Sequence, residues 1–215
     1  LLGFSIREAI VYVLVAQFFG EMTSTIMHHV HGNANFSRKS NDTKQGIILG
    51  ACGVVSFFTA FVATLIPEDI LVLYNASILI IFGFVIIIWR TYSNGGVSLF
   101  KTTIIGVIAS FNKAITGGNY RPTIIAFSTL LGTSIKKTIA IVSLAGSIVC
   151  IFAIVGYVLG GATPSLDLTF CITIGACFSA LLSVFFIKRT PTSKLRVLIG
   201  IAMIVLGLCL LPRSI

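Results

Sequence analysis

Residues 138–159 read TIAIVSLAGSIVCIFAIVGYVL, an apolar run without a single charged side chain. A helix of this length rises roughly 30 Å, which matches the hydrocarbon core of a bilayer. Similar segments recur along the chain and predict helices near residues 5–30, 46–66, 70–90, 133–160, 168–188 and 193–211. The sequence therefore predicts an all-α integral membrane protein, a polytopic helical bundle.

The composition supports a membrane location. Of the 215 residues, 56% are hydrophobic and only 10% are charged, whereas about a quarter of the residues in soluble proteins are charged. The excess apolar surface needs lipid around it, so we expect a multi-pass protein of the cell membrane, in contact with the lipid bilayer.

The net charge of +9 does not indicate nucleic-acid binding, because the basic residues form short clusters between apolar runs, as the positive-inside rule predicts. These clusters are Arg38, Lys39 and Lys44; Lys136 and Lys137; and Lys188, Arg189, Lys194 and Arg196. The five cysteines lie in apolar segments without metal-ligand spacing, and no nucleotide-binding loop is present. We therefore expect no nucleic-acid partner, no cofactor and no enzymatic activity.

The chain contains an internal repeat. Three matches occur in the same order: residues 2–10 with 131–139; Gly50-Ala51-Cys52 with Gly175-Ala176-Cys177; and Pro67, Leu71 and Gly83 with Pro191, Leu195 and Gly207. The matches predict a first transmembrane repeat over residues 1–92 and a second over residues 93–215.

Charge indicates the orientation of the two repeats. The first loop, residues 31–44, is basic and should be cytoplasmic, whereas its counterpart at 160–167 has no cation and should be external. The next pair of turns reverses: Glu68-Asp69 is acidic and 188–196 is basic. This alternation predicts inverted-topology repeats, in which the substrate site lies near the membrane midplane.

The second repeat opens with an interrupted apolar segment, residues 101–131. The flanking Arg90 and Lys136 should both lie inside, and arms at 101–115 and 120–131 are too short to span lipid. We expect a re-entrant hairpin here. The first repeat shows no equivalent before Leu2, so a further element of about 30 residues is expected upstream.

The predicted hairpin tip, residues 112–122, reads NKAITGGNYRP. Its two glycines permit a tight turn that brings backbone N–H groups near a ligand, and neither is expected to tolerate a side chain. Pro122 suits the first turn of a half-helix whose positive end would favour an anion. The predicted substrate-binding residues are Asn112, Lys113, Thr116, Gly117, Gly118, Asn119, Tyr120 and Arg121. An ordinary cytoplasmic loop with positive-inside residues is the alternative interpretation.

The hairpin and the Leu131-Gly132-x-Ser134 helix after it resemble the second half of the sulfite exporter TauE/SafE family. The resemblance continues through Gly175-Ala176-Cys177 and the final helix from Arg196 to Leu211. The first half resembles that family's N-terminal repeat from just after its opening hairpin.

What the resemblance implies is a secondary transporter, an exporter or permease, for a small anion such as sulfite or an organosulfonate. Similar family members have a glycine-rich tip ending in Tyr-Gly-Pro. Here Asn119 and Arg121 stand at two of the glycine positions.

A second polar feature lies on the first helix. Gln17, Glu21, Ser24 and His28 recur at i, i+4, i+7 and i+11 and share one helical face, with Thr25 beside them. A carboxylate inside a membrane is costly, so Glu21 suggests ion or proton coupling. Pairing with a cation near a polar helix end explains the same residue equally well.

The three histidines suggest an alternative function, a channel-like or divalent-metal permease that uses Glu21 with His28, His29 and His31. However, His28 and His29 point about 100° apart on a helix, and no carboxylate or thiol joins them at ligand spacing. No metal site is therefore predicted. The sequence is compatible with a homo-oligomer and does not indicate the oligomeric state.

Overall fold

The computed structural model describes residues 6–88, 98–131, 134–162 and 166–213. The parts of the repeat and topology predictions that rest on residues 2–5, Arg90, Gly132 and Thr133 lie outside these ranges. Within them the chain forms helices and no strand. The helices are α1 (Ile6–Val30), α2 (Asn41–Ala51), α3 (Gly53–Ala63), α4 (Glu68–Ile88), α5 (Leu99–Thr116), α6 (Tyr120–Leu130), α7 (Ile135–Leu159), α8 (Leu166–Arg189) and α9 (Thr192–Leu210), followed by a 3-10 turn, Leu211–Arg213.

Six helical stretches in the described part of the chain are long and apolar enough to cross a membrane. They are Glu8–Val30, Asn41–Ala63, Glu68–Ile88, Ile135–Leu159, Asp167–Arg189 and Thr192–Leu210. Neither α5 nor α6 is among them. The predicted class, a polytopic all-helical membrane protein, is confirmed.

The second span differs from its prediction, which placed a single helix at 46–66. The helix begins at Asn41, because the Ser40 side chain caps it by accepting a hydrogen bond from the Thr43 N–H at 3.1 Å. The predicted first loop therefore ends before residue 44. The span also breaks at Cys52, where α5 approaches so closely that a Cβ on Gly106 would lie 2.8 Å from the Cys52 sulfur.

The helices pack in a pattern that is unchanged when the two halves are exchanged. Helix α1 packs on α8, and α2 and α3 pack on α7; α4 packs on α9, and α1 also contacts α7. In this comparison α1 corresponds to α7, the α2–α3 span to α8, and α4 to α9. The α1–α8 contact then corresponds to the contact of α2 and α3 with α7, and the α1–α7 and α4–α9 contacts correspond to themselves. This is the pattern expected if the two halves are related by a two-fold axis.

Helices α1 and α7 run in opposite directions. Ser24 hydrogen-bonds Ser143 at 3.0 Å, and Glu21 lies against Gly146. Nearer the start of α1, Ile10 shares a core cluster with Tyr157, near the end of α7. Helix α1 and its counterpart α7 are therefore antiparallel.

Three basic clusters meet at one end of the bundle, which we call the basic end. Lys137 forms an ion pair with Asp42 of α2, with 2.8 Å between Nζ and Oδ1. Lys188 donates to the His31 carbonyl at 3.3 Å, and Lys136 donates to the Lys188 carbonyl at 3.0 Å. The first loop, the start of α7 and the end of α8 thus share one end, as predicted. The cytoplasmic assignment of that end stays a prediction.

Helices α4 and α9 approach each other through glycines. A Cβ on Gly200 would lie 2.4 Å from Cγ1 of Ile87 and 2.9 Å from the carbonyl oxygen of Gly83. Between membrane helices, small residues allow the close backbone contact that replaces the hydrophobic effect as a source of stability.

We expect Gly200→Leu to lower the free energy of unfolding by about 1–3 kcal/mol, the usual cost of overpacking a filled contact. The measurement is denaturant unfolding in detergent micelles. Gly175→Leu is the matched control, because no atom lies within 4 Å of a Cβ there. Equal loss of stability in the two variants would contradict a tight α4–α9 contact.

Candidate functional site

Helices α5 and α6 form a helical hairpin that turns inside the bundle. Gly117 ends α5 with a left-handed φ of +71°, and its N–H donates to the Lys113 carbonyl at 2.8 Å. Helix α5 runs beside α3, where the Ser56 hydroxyl donates to the Ser110 carbonyl at 2.8 Å. The turn reaches Ile10 of α1, and α6 then leads back to α7.

The backbone N–H groups of the tip are already used within the hairpin. The Thr116 hydroxyl oxygen accepts hydrogen bonds from the N–H groups of Gly118, at 3.3 Å, and Asn119, at 3.0 Å. The N–H groups of Gly117, Gly118 and Asn119 therefore all have acceptors inside the hairpin in this conformation, and their predicted role in substrate binding stays a prediction. A threonine at a helix end competes for nearby backbone donors in this way.

The two glycines of the tip are not equivalent. At Gly117 a Cβ would lie 3.2 Å from Cγ2 of Ile10, in a backbone conformation that L side chains rarely adopt. At Gly118 the nearest atom, Nε2 of Gln17, lies 3.9 Å away. The expectation that Gly118 excludes side chains is wrong, because the turn places its strain and its crowding one residue earlier.

One side of the hairpin is bound to α4 by amides and hydroxyls. Asn112 donates to the Thr123 hydroxyl at 3.0 Å, and Asn119 donates to Oδ1 of Asn75 at 2.8 Å. The Tyr74 hydroxyl donates to Oδ1 of Asn112. The two predicted amides thus hold the hairpin in place through one N–H group each, and their predicted role in substrate binding stays a prediction.

The other side of the hairpin carries charge. Glu21 of α1 lies 3.8 Å from Nζ of Lys113 and accepts a hydrogen bond from Nε of Arg121 at 3.3 Å, in both cases through Oε1. The Glu21 and Lys113 side chains are 5% and 1% exposed, whereas that of Arg121 is 31% exposed. The two features that the sequence suggested separately, the α1 stripe and the hairpin tip, therefore form one cluster.

Hydrogen bonds extend the cluster along α1 and α7. Gln17 accepts from Lys113. Arg121 donates through Nη2 to the Ser143 hydroxyl at 3.2 Å, and Ser143 in turn bonds Ser24. Gln17, Glu21 and Ser24 thus share one face of α1, as their spacing predicted, and that face meets the hairpin and α7.

Two predicted residues have other contacts. The Thr25 hydroxyl donates to the Glu21 carbonyl of its own helix at 2.8 Å. Tyr120 is fully buried and donates to the Leu49 carbonyl at 3.2 Å, with its ring centroid 5.9 Å from Nζ of Lys113. Both contacts serve packing, although the Tyr120 ring also forms one wall beside the buried ammonium group.

Sequence reasoning did not identify Ser143, Gly146, Tyr74 or Asn75. Tyr74 and Asn75 are adjacent polar residues within the apolar helix α4, and the sequence could have identified them, because an amide in the middle of an apolar span needs a partner. Gly146 gave no such signal. A Cβ there would lie 1.8 Å from Oε2 of Glu21, so the missing side chain provides the space that the carboxylate occupies.

The electrostatics of the cluster favour an anion. Two cations face one carboxylate, so one positive charge is in excess at a place where interactions are weakly screened by water. Lys113 is enclosed, but Arg121 uses only two of its five N–H groups within the described residues. The remaining donors of Arg121 can bind an oxyanion.

The histidines do not converge on a common point. His28 is buried and bonds Asn33, and His29 accepts from the Phe36 N–H at 3.2 Å. His31 donates to the Met27 carbonyl at 2.8 Å. No group of three or more histidine, cysteine, aspartate or glutamate side chains in the described ranges could hold a metal ion. The metal-permease alternative is not favoured.

Comparison with known proteins adds one finding. No curated protein and no solved structure matches the chain. The family described as Sulfite exporter TauE/SafE matches residues 1–210, nearly the whole sequence. Together with six helices able to span a membrane, this match shows that the chain belongs to the sulfite exporter TauE/SafE family of membrane transporters.

Proposed function

We propose that the protein is a secondary transporter of a small sulfur oxyanion, sulfite or an organosulfonate, and that Arg121 binds the anion. The observation that carries this proposal is the partly exposed guanidinium of Arg121, with donors to spare beside a buried cluster of excess positive charge.

An oxyanion loses its hydration when it enters the protein, and it needs strong donors in return. The planar guanidinium can offer two parallel N–H groups to two oxygens of a sulfite or sulfonate group. Lys113 cannot play this part directly, because its side chain is 1% exposed and already bonds Gln17 and Glu21. It supplies long-range attraction instead.

Glu21 links anion binding to a change in the protein. The carboxylate and an arriving anion compete for the same guanidinium, since Nε of Arg121 bonds Oε1 of Glu21 at 3.3 Å. Binding of the anion therefore weakens the bond that joins α1 to the hairpin. This competition gives Glu21 a role in coupling, in agreement with the interpretation of the polar stripe.

The architecture proposed for this activity is a pair of inverted repeats, residues 1–92 and 93–215, with residues 101–131 as a re-entrant hairpin. Two observations support the inversion: the main helix contacts are the same when the two halves are exchanged, and α1 runs antiparallel to α7. The inward turn at Gly117 and the absence of α5 and α6 from the six candidate spans support the hairpin.

We expect Arg121→Ala to weaken sulfite binding by about 10- to 150-fold, because a charge-assisted hydrogen bond in a partly buried site contributes about 1.5–3 kcal/mol. Isothermal titration of the purified protein with sulfite and with methanesulfonate measures the affinity. Arg121→Lys is the matched control, because it keeps the charge but loses the planar guanidinium. Its affinity for sulfite should lie between those of the wild type and Arg121→Ala.

Flux into proteoliposomes tests the class of substrate. Sulfite or methanesulfonate should cross in the presence of the wild-type protein, and divalent cations should not. Cation flux without anion flux would reject the proposed function, and unchanged anion affinity in Arg121→Ala would place the site elsewhere.

A further inference from the structure

His28 is a fully buried polar residue of α1 that lies outside the charged cluster. Its side chain is fully buried, and its Nδ1 lies 3.0 Å from Nδ2 of Asn33. An amide nitrogen can only donate, so Nδ1 of His28 must accept, and the proton of the neutral ring is then on Nε2. With the Asn33 amide in this orientation, the ring is the Nε2–H tautomer.

The Nε2–H group has no acceptor among the described residues, although it is completely buried. An unsatisfied buried donor costs about 1–3 kcal/mol, so an acceptor that reaches this group from outside the fold would stabilise the protein. A donor without an acceptor selects for an oxygen-bearing ligand, either water or an anion.

The position of His28 favours the anion. It lies seven residues beyond Glu21 on the same face of α1, which is about 10 Å along the helix. Ser24 and Ser143 occupy the interval and reach Arg121 through hydrogen bonds.

Towards the basic end, Asn33 separates His28 from an open cavity of about 420 Å³. Asp42 and Lys137, the ion pair that joins α2 to α7, line the same cavity. A row of polar groups therefore leads from the cavity through Asn33 and His28 to Arg121.

We propose that the Nε2–H of His28 is a second donor to the transported oxyanion, at a subsite between the basic-end cavity and Arg121. This inference rests on the proposed function and adds a specific contact to it. The subsite takes an anion with several acceptor oxygens, and it has no charge of its own that would hold the anion too tightly to leave.

Two variants of His28 separate the donor from the packing. In His28→Asn the side chain still reaches Asn33, but no N–H remains at the ε position. In His28→Gln an amide N–H is retained at that distance. Sulfite affinity should fall about tenfold or more in His28→Asn, and His28→Gln should stay within about threefold of the wild type.

The wild-type ring can also be observed directly. In a His29→Gln/His31→Gln background His28 is the only histidine, and ¹⁵N-histidine NMR should show a proton on Nε2 whose signal shifts upon titration with sulfite. This readout does not depend on the folding of any His28 variant.

The outcomes are distinguishable. If the wild type binds sulfite while the His28→Asn affinity and the Nε2 signal are unchanged, His28 is structural and the inference is overturned. A loss of affinity in His28→Asn with a sulfite-dependent Nε2 shift supports it. If the wild type binds neither sulfite nor methanesulfonate, the proposed function itself fails.

Discussion

Glu21→Gln is expected to destabilise the protein by about 3–5 kcal/mol, the largest effect of any single charge change in this chain. Removing one partner of a buried ion pair leaves the other as an uncompensated charge. Lys113 is 1% exposed and cannot turn to water, and its bond to Gln17 does not neutralise it. Arg121, which is 31% exposed, can still be hydrated.

The double variant Glu21→Gln/Lys113→Met should recover most of this loss, because it removes both buried charges together. Unfolding in denaturant, measured for both single variants and the double variant, gives the coupling energy directly. Asp69→Asn is the matched control for carboxylate loss: Asp69 is exposed, and its substitution should change stability by less than about 0.5 kcal/mol. Additive effects of the two changes would contradict the buried pair.

Gly117→Val is expected to cost about 2–4 kcal/mol and to abolish transport. A β-branched residue at φ +71° pays about 1–2 kcal/mol in backbone strain, and its side chain also meets Ile10 at the 3.2 Å contact. If the tip yields, Lys113 and Arg121 move away from Glu21. Anion flux in proteoliposomes at matched protein levels is the measurement.

Gly118→Ala is the control for that experiment. Its Cβ has no neighbour nearer than 3.9 Å and its φ is not left-handed, so stability and flux should stay close to those of the wild type. If Gly118→Ala lost stability and flux while Gly117→Val kept both, the left-handed, crowded position of the turn would be residue 118 and not residue 117, which would contradict the turn described.

The fold was largely predictable because its main determinants are local. An apolar run such as 138–159 is long enough to span a bilayer whatever its surroundings, and Pro67 and Pro191 mark turns between helices. The break at Cys52 was not predictable in this way. It lies where Gly106 of α5 approaches the span, and no periodicity within residues 41–63 reveals that contact.

The candidate site was predictable in its parts but not in its assembly. Helical spacing identified Gln17, Glu21 and Ser24 as one face, and the Gly117 turn was expected from residue type. Spacing states which residues share a face, but it does not state what that face meets. That Glu21 meets Lys113 and Arg121, about a hundred residues away, follows only from how α1 and the hairpin pack.

The hydrogen bonds of the hairpin tip are a further example. Sequence alone does not show which backbone N–H groups a turn uses internally, and in the folded chain the Thr116 hydroxyl accepts from those of Gly118 and Asn119. This is one reason why the proposed function assigns the anion to the side chain of Arg121.

Gly146 makes the order of substitutions matter in the history of such a chain. The volume on α7 where its side chain would lie is filled by the carboxylate of Glu21, with Oε2 1.8 Å from the position of a Cβ. Alanine at 146 therefore requires that residue 21 be shortened or that the Glu21 carboxylate leave its present position. With alanine at 146, a glutamate at 21 no longer fits in the conformation that contacts Lys113 and Arg121. Positions 21 and 146, which lie on different helices, are therefore expected to change together. A mutant library that varies only one of them will not contain the paired substitutions.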